Sequence, residues 1–213
     1  MEFADLLQII QDEPVFETSL LLAGDVSLPA VQKQLSRWHA AGRLYQLRRG
    51  LYALAPPFQR SKPHPFLVAN RLVRGSYVSC QSSLAHYGLI PEYAPLTTSV
   101  TAGRAGQWDT PLGSFAYRHI QIDLLHSYRL IEVGAGQRAF IATAEKALLD
   151  LIYLQPWGDD LAYLRELRLQ NLERLDLAEL ARLAERSGSP KLHRAAARVR
   201  DLAHREAAEY ETL

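Results

Sequence analysis

The stretch SLPAVQKQLSRWHAAGRLYQLRRGLYAL, residues 27–54, decides how the N-terminal part of this chain folds. Ser27 is a favourable helix N-cap, and Pro29 is tolerated in a first helical turn. The pattern predicts a helix running to about Ala41, with Gly42 as its stop. At about 100° per residue, Leu28, Val31, Leu35 and Trp38 share one face. Lys33, Ser36, Arg37 and Ala40 share the opposite one, with Gln32 and Gln34 on the flanks. Small side chains allow a helix to approach a DNA groove closely. A Gln amide pairs with an adenine edge, and an Arg pairs with a guanine edge or a phosphate. An ordinary solvated helix face has a similar composition, so the helix alone leaves both readings open.

The residues that follow shift the balance. Residues 43–47 and 51–54 read as two short strands, and Arg48-Arg49-Gly50 makes the turn, with Gly50 supplying a permissive backbone. A basic hairpin directly after an amphipathic helix is the pattern of a winged helix-turn-helix. Two arginines at such a tip repel each other unless an anion lies nearby, and a phosphate backbone or a minor groove supplies one. The expected DNA-contacting residues are therefore Gln32, Lys33, Gln34, Ser36, Arg37, Arg43, Arg48 and Arg49.

Working outward, Phe3, Leu6, Leu7 and Ile10 fall at helical spacing, and a second short helix is expected over 18–23, ended by Gly24. Downstream, Pro56-Pro57 and Pro63-His64-Pro65 read as an extended linker. The expected organisation is a DNA-binding domain at 1–55 and a larger domain at 60–213. Charge marks the same region. No Asp or Glu occurs from Val26 to Pro91, a stretch that holds Lys33, Arg37, Arg43, Arg48, Arg49, Arg60, Lys62, Arg71 and Arg74. An acid-free basic segment in a chain of net charge +1 is a local electrostatic footprint.

The remainder reads as α+β. Helices are expected at 66–73 and 82–87. Strands follow at 97–101, 114–120, 128–133 and 139–141. Thr143 caps an apolar helix over 144–154, Asp176 and Glu179 have capping-box spacing before 177–187, and Ser189-Pro190 opens a last helix to about Glu209. The fold class is thus α+β: an N-terminal winged helix-turn-helix, then a larger mixed α/β domain ending in helices.

At 213 residues and 48% hydrophobic, the chain has enough apolar side chains for real cores. The single cysteine, Cys80, excludes an intramolecular disulfide and a zinc ribbon, which fits a reducing cytoplasm. The first residues carry Glu2 and Asp5 and no base, so no signal peptide is expected, and no apolar run is long enough for a membrane span. No catalytic constellation stands out. His119 and His126 are irregularly placed for a metal pair, Cys80 reads as a buried inert thiol, and Lys146 with Asp150 reads as an i,i+4 helix pair. Arg104 in the 103–106 loop has phosphate chemistry, but Gly-Arg-Ala-Gly is a common loop. No cofactor, metal or enzymatic activity is expected.

Several segments together resemble a known family: GRL at 42–44 with RRGLYAL at 48–54, YVS at 77–79, SSLAHYGLIP at 82–91, TSVT at 98–101 and ATAEKALLDL at 142–151. In this order they resemble the AbiEi antitoxins of type IV toxin–antitoxin, or abortive infection, systems. The resemblance implies a bipartite transcriptional regulator. Its winged helix would repress the operon by binding inverted repeats in its own promoter. Its C-terminal domain would counteract a nucleotidyltransferase-like toxin, AbiEii. It also implies Lys33, Gln34 and Arg37 on the recognition helix and Arg48 and Arg49 in the wing as DNA contacts. A different reading makes the chain a protein-interaction module that captures the toxin directly, with the winged helix serving protein contacts.

Overall fold

A computed structural model describes residues 1–22, 27–91 and 95–211, with side chains to 206. Helix α1 (Phe3–Ile10) buries Leu6 and Ile10, and the Glu2 backbone N–H donates to Asp5 at its start. Strand β1 (Phe16–Glu17) leads into a 3-10 turn, Thr18–Leu21. A helix over 18–23 was expected here. Its final residue, Ala23, and its expected stop, Gly24, lie outside the described residues.

Helix α2 (Leu28–Ala40) buries Val31, Leu35 and Trp38 and leaves the opposite face to solvent. Leu28, expected on the inner face, is 44% exposed because it lies in the first turn, ahead of the packed part of the helix. Ser27 is extended as a cap residue should be, yet its side chain makes no capping hydrogen bond. Gly42 has φ +69°, the left-handed conformation that ends helices at little cost only for glycine. Strands β2 (Leu44–Arg48) and β3 (Leu51–Leu54) form the expected hairpin, with Gly50 at φ +79° and a bulge between Gln46 and Arg48. The three strands lie in the order β1-β3-β2, all antiparallel. The inner face of this small sheet and the two helices enclose one core around Leu6, Ile10, Leu35 and Trp38.

The proline-rich stretch folds back on this unit. The Ala55 N–H donates to the Arg43 carbonyl, Gln59 donates to the Leu54 carbonyl, and the Phe58 ring meets Phe3 edge-on at 4.9 Å. These contacts replace the extended tether expected from composition.

Helix α3 (Pro65–Leu72) then precedes a mixed sheet of six strands. They are β4 (Ser76–Val78), β5 (Leu96–Thr101), β6 (Gly106–Thr110), β7 (Gly113–His119), β8 (Tyr128–Gly134) and β9 (Gln137–Ala142). Their order is β6-β7-β5-β4-β9-β8, with β5–β7 and β4–β9 parallel. The remaining helices are α4 (Cys80–His86), α5 (Ala144–Leu154), α6 (Leu161–Glu166), α7 (Leu177–Arg186) and α8 (Pro190–Glu211). Thr143 and Asp176 cap α5 and α7 through their side chains, as their spacing predicts. The architecture is a mixed α+β one. Strands β4 and β6 were not expected.

Period-2 alternation sorts the sheet into two faces. Tyr77 and Ala142 enter the core with α4, α5, α7 and α8, while their neighbours Val78 and Ile141 face the other way. That second face packs on α3 and also on the outer side of the N-terminal sheet: Val15, Leu47, Leu51 and Ala53 share a core with Val68, Leu72, Phe115 and Tyr117. Strand β3 is therefore buried on both sides, which explains why Leu51-Tyr52-Ala53-Leu54 lacks a polar position. A fully buried Val or Leu contributes about 1.5–3 kcal/mol, so apolar contact dominates the junction between the two parts.

Candidate nucleic-acid interface

Helix α2 places Gln32, Lys33, Ser36 and Arg37 on its solvent face, with Gln34 half-buried at the margin. His39 fixes the end of the helix to the hairpin, its Nδ1–H donating to the Leu44 carbonyl at 3.0 Å. Arg43 lies over the ring of Phe3, 5.0 Å from its centroid. The helix and the start of the hairpin are thus a rigid mount for an exposed cationic face.

The basic residues of the acid-free segment divide into two groups. Arg48 and Arg74 pair with Glu17, Arg60 with Asp12 and Arg71 with Glu13. All three acids come from the segment before α2. Among the described residues, Lys33, Arg37, Arg43, Arg49 and Lys62 form no ion pair. Four of these five are on α2 or the hairpin. Exposed pairs of this kind are weak because solvent and salt screen them, so the pairs at Arg60, Arg71 and Arg74 are readily exchanged.

Arg48 and Arg49, expected to act together, are in different surroundings. Arg49 is exposed. Arg48 turns inward: Nε donates to the Leu72 carbonyl at 3.0 Å, Nη2 to the Arg71 carbonyl at 3.3 Å and Nη1 to the Arg49 carbonyl at 3.2 Å. The carbonyl end of α3 and Glu17, 3.7 Å away, supply the negative charge that the sequence argument sought in a phosphate. Glu17 is held by a hydrogen bond from Arg74, which lowers its pKa below the usual carboxylate value, and its Oε1 is buried without a hydrogen bond. Sequence reading missed Glu17, and it counted Arg74 in the basic stretch without assigning it a contact. The available signal was that Glu17 is the last acid but one before the basic stretch.

Other candidates from the sequence lie elsewhere. Lys146 and Asp150 do pair along α5, but both are buried, and Asp150 also accepts from Ser79 at 2.7 Å and Tyr77 at 3.1 Å. Burial pushes the Asp150 carboxyl up, while Lys146, Ser79 and Tyr77 favour its charge. Glu145 accepts from the Asp176 N–H at 3.0 Å. Cys80 is buried, and burial with Asp150 nearby raises its thiol pKa, which disfavours the nucleophilic thiolate. Among the described residues no three His, Cys, Asp or Glu side chains gather as metal ligands, and no helix is long and apolar enough to cross a membrane. Arg104 lies in an exposed loop beside strand β6, and His119 Nδ1–H donates to the Gly103 carbonyl at 2.9 Å. A cleft of about 770 Å³ is lined by Lys62, His64, Phe66 and His86, but Gln137, its amide, is fully engaged with His64, Ser61 and Lys62.

No protein-family model matches this sequence, and no curated protein is similar to it.

Proposed function

We propose that the N-terminal unit is a winged helix-turn-helix that binds double-stranded DNA, with α2 as its recognition helix and β2–β3 as its wing. The observation that carries this reading is the division of charge. The N-terminal acids neutralise Arg48, Arg60, Arg71 and Arg74, and among the described residues the cations left without an acid include Lys33 and Arg37 on α2 and Arg49 at the hairpin tip. Gln32, Gln34 and Ser36 beside them have the chemistry to read base edges, and the cations have the chemistry for phosphates.

Within that reading, the ordered resemblance to AbiEi antitoxins supports a specific role. The chain is an autoregulatory repressor of a type IV toxin–antitoxin operon that binds inverted repeats in its own promoter and counteracts a nucleotidyltransferase-like toxin in the cytoplasm. The test is fluorescence anisotropy of the purified chain on its own upstream DNA and on an unrelated duplex, at two salt concentrations. The expected result is tight binding to the upstream DNA, weakened by salt, with far weaker binding to the unrelated duplex. No binding to either duplex at low salt would overturn the DNA reading and leave a protein-interaction module that captures the toxin directly.

A further inference from the structure

We propose that the phosphate-contacting surface continues from the hairpin tip onto the end of α3, with Arg49 and Arg74 as its contacts and Arg48 as the strut between them. This rests on the DNA reading above and adds to it Arg74, a residue from beyond the N-terminal unit.

The placement comes from backbone contacts at the tip. The Thr18 N–H donates to the Gly50 carbonyl at 3.0 Å, which sets the end of β1 against the turn. Glu17, one residue earlier, lies between the hairpin and the end of α3 and meets both Arg48 and Arg74. Three guanidinium groups therefore gather around Glu17, those of Arg48, Arg71 and Arg74, and Arg49 follows Arg48 at the exposed hairpin tip. The carboxylates beside them are Glu13 and Glu17. The local balance is positive, and a phosphodiester is the anion that a planar guanidinium fork fits best.

The arginines differ in how firmly they are held. Arg48 donates to three carbonyl oxygens, and its side chain is only 31% exposed, so few of its N–H groups remain for a phosphate. Removing it from the end of α3 would leave two helix-terminal carbonyls without their donor. Arg74 is 74% exposed and is held by Glu17 alone. It can exchange that carboxylate for a phosphate without breaking any backbone contact. Among the described residues Arg49 has no acid partner to exchange. The hairpin is thus braced by one arginine and offers the other, and the brace ties the tip to the end of α3, which Arg74, the second contact, follows two residues on.

The salt dependence of binding separates these roles, because each phosphate contact contributes about 0.9 to the slope of log affinity against log salt. The full chain is titrated onto a duplex of its own upstream DNA over a salt series, and the melting temperature of each variant is measured alongside. Arg49→Ala and Arg74→Ala are each expected to flatten the slope by about 0.9, and Arg74→Lys to keep it. Arg48→Ala is expected to weaken binding, lower the melting temperature and leave the slope unchanged. Glu17→Gln, which frees Arg74, is expected to tighten binding. A wild-type slope in Arg74→Ala, or a flattened slope in Arg48→Ala, would overturn the assignment while leaving the DNA reading intact. Failure of the unmodified chain to bind DNA at low salt would overturn both.

Discussion

Helices α2 and α5 carry charged residues at the same spacing and put them to opposite uses. Lys33 and Arg37 are four apart on the solvent face of α2, two like charges that form no ion pair among the described residues. Lys146 and Asp150 are four apart on α5, opposite charges in the interior, where Tyr77 and Ser79 complete the carboxylate's hydrogen bonds. Like charges at this spacing oppose the helix by about 0.2–0.5 kcal/mol, a small and permanent cost. A buried pair faces a far larger desolvation penalty that only good geometry offsets. Among the described residues the α2 pair therefore costs stability without an ionic contact that compensates it, which is what a surface kept for an external anion requires. The α5 pair is closed on itself and available to nothing outside.

The largest effect is expected at α5. Lys146→Met leaves the Asp150 carboxylate buried with only hydroxyl partners, and the fold should lose about 3–5 kcal/mol, measured by urea denaturation. The double variant Lys146→Met with Asp150→Leu removes both charges and should recover most of the loss, because matched apolar residues replace a buried pair at little cost. A single variant as stable as the parent would mean that water or another group neutralises Asp150, and the contrast between the helices would collapse.

At α2 the same operation should act on binding and spare the fold. Arg37→Ala is expected to weaken binding to the chain's own upstream DNA by about 1–3 kcal/mol, or roughly 5–150-fold, if it reaches a base edge. Its stability should be unchanged or higher by about 0.2–0.5 kcal/mol, since the repulsion from Lys33 is relieved. Anisotropy and thermal melting on one preparation give both numbers. A variant that loses stability together with affinity would make Arg37 a structural residue and remove the distinction.

How much of this contrast was legible in the sequence depends on how far apart the interacting residues are. The face of α2 was readable because Val31, Leu35 and Trp38 repeat within one helix. The caps at Thr143 and Asp176 were readable because a cap is decided within four residues. Strand β4 was missed because Ser76-Tyr77-Val78 is buried on both faces and shows no polar alternation. Strand β6 was missed for the opposite reason: Gly106–Thr110 is a largely exposed edge strand with few apolar residues. The spacing of Lys146 and Asp150 was visible, but their burial was not. It depends on Tyr77 and Ser79, which approach only once β4 is in the sheet. The bracing of Arg48 was hidden likewise, since Glu17, Leu72 and Arg74 belong to separate elements. Sequence position made Arg48 and Arg49 equivalent, and only the docking of the hairpin on α3 distinguishes them.

The smallest expected effect concerns His126, which borders the buried pair. Its Nδ1 lies 2.9 Å from the Ser127 hydroxyl, and burial lowers its pKa from 6.5 to about 4, with the positive charges of Lys146, Arg186 and Arg182 acting in the same direction and Glu179 opposing them. The fold thus favours the neutral ring. Above pH 6.5 both the folded and unfolded states hold it neutral, and its contribution is fully present. As the pH falls from 6.5 towards 4, the unfolded chain takes up a proton that the folded chain refuses, and stability drains away until the folded ring also protonates. His64 and His86 are shifted in the same direction by burial, so His126→Gln should reduce this slope without abolishing it. The check is the urea midpoint between pH 7 and pH 4.5 in parent and variant. A variant with the parent's full slope would show that the interior around Lys146 does not sense the ring, and that the buried pair on α5 is more isolated from its surroundings than the geometry indicates.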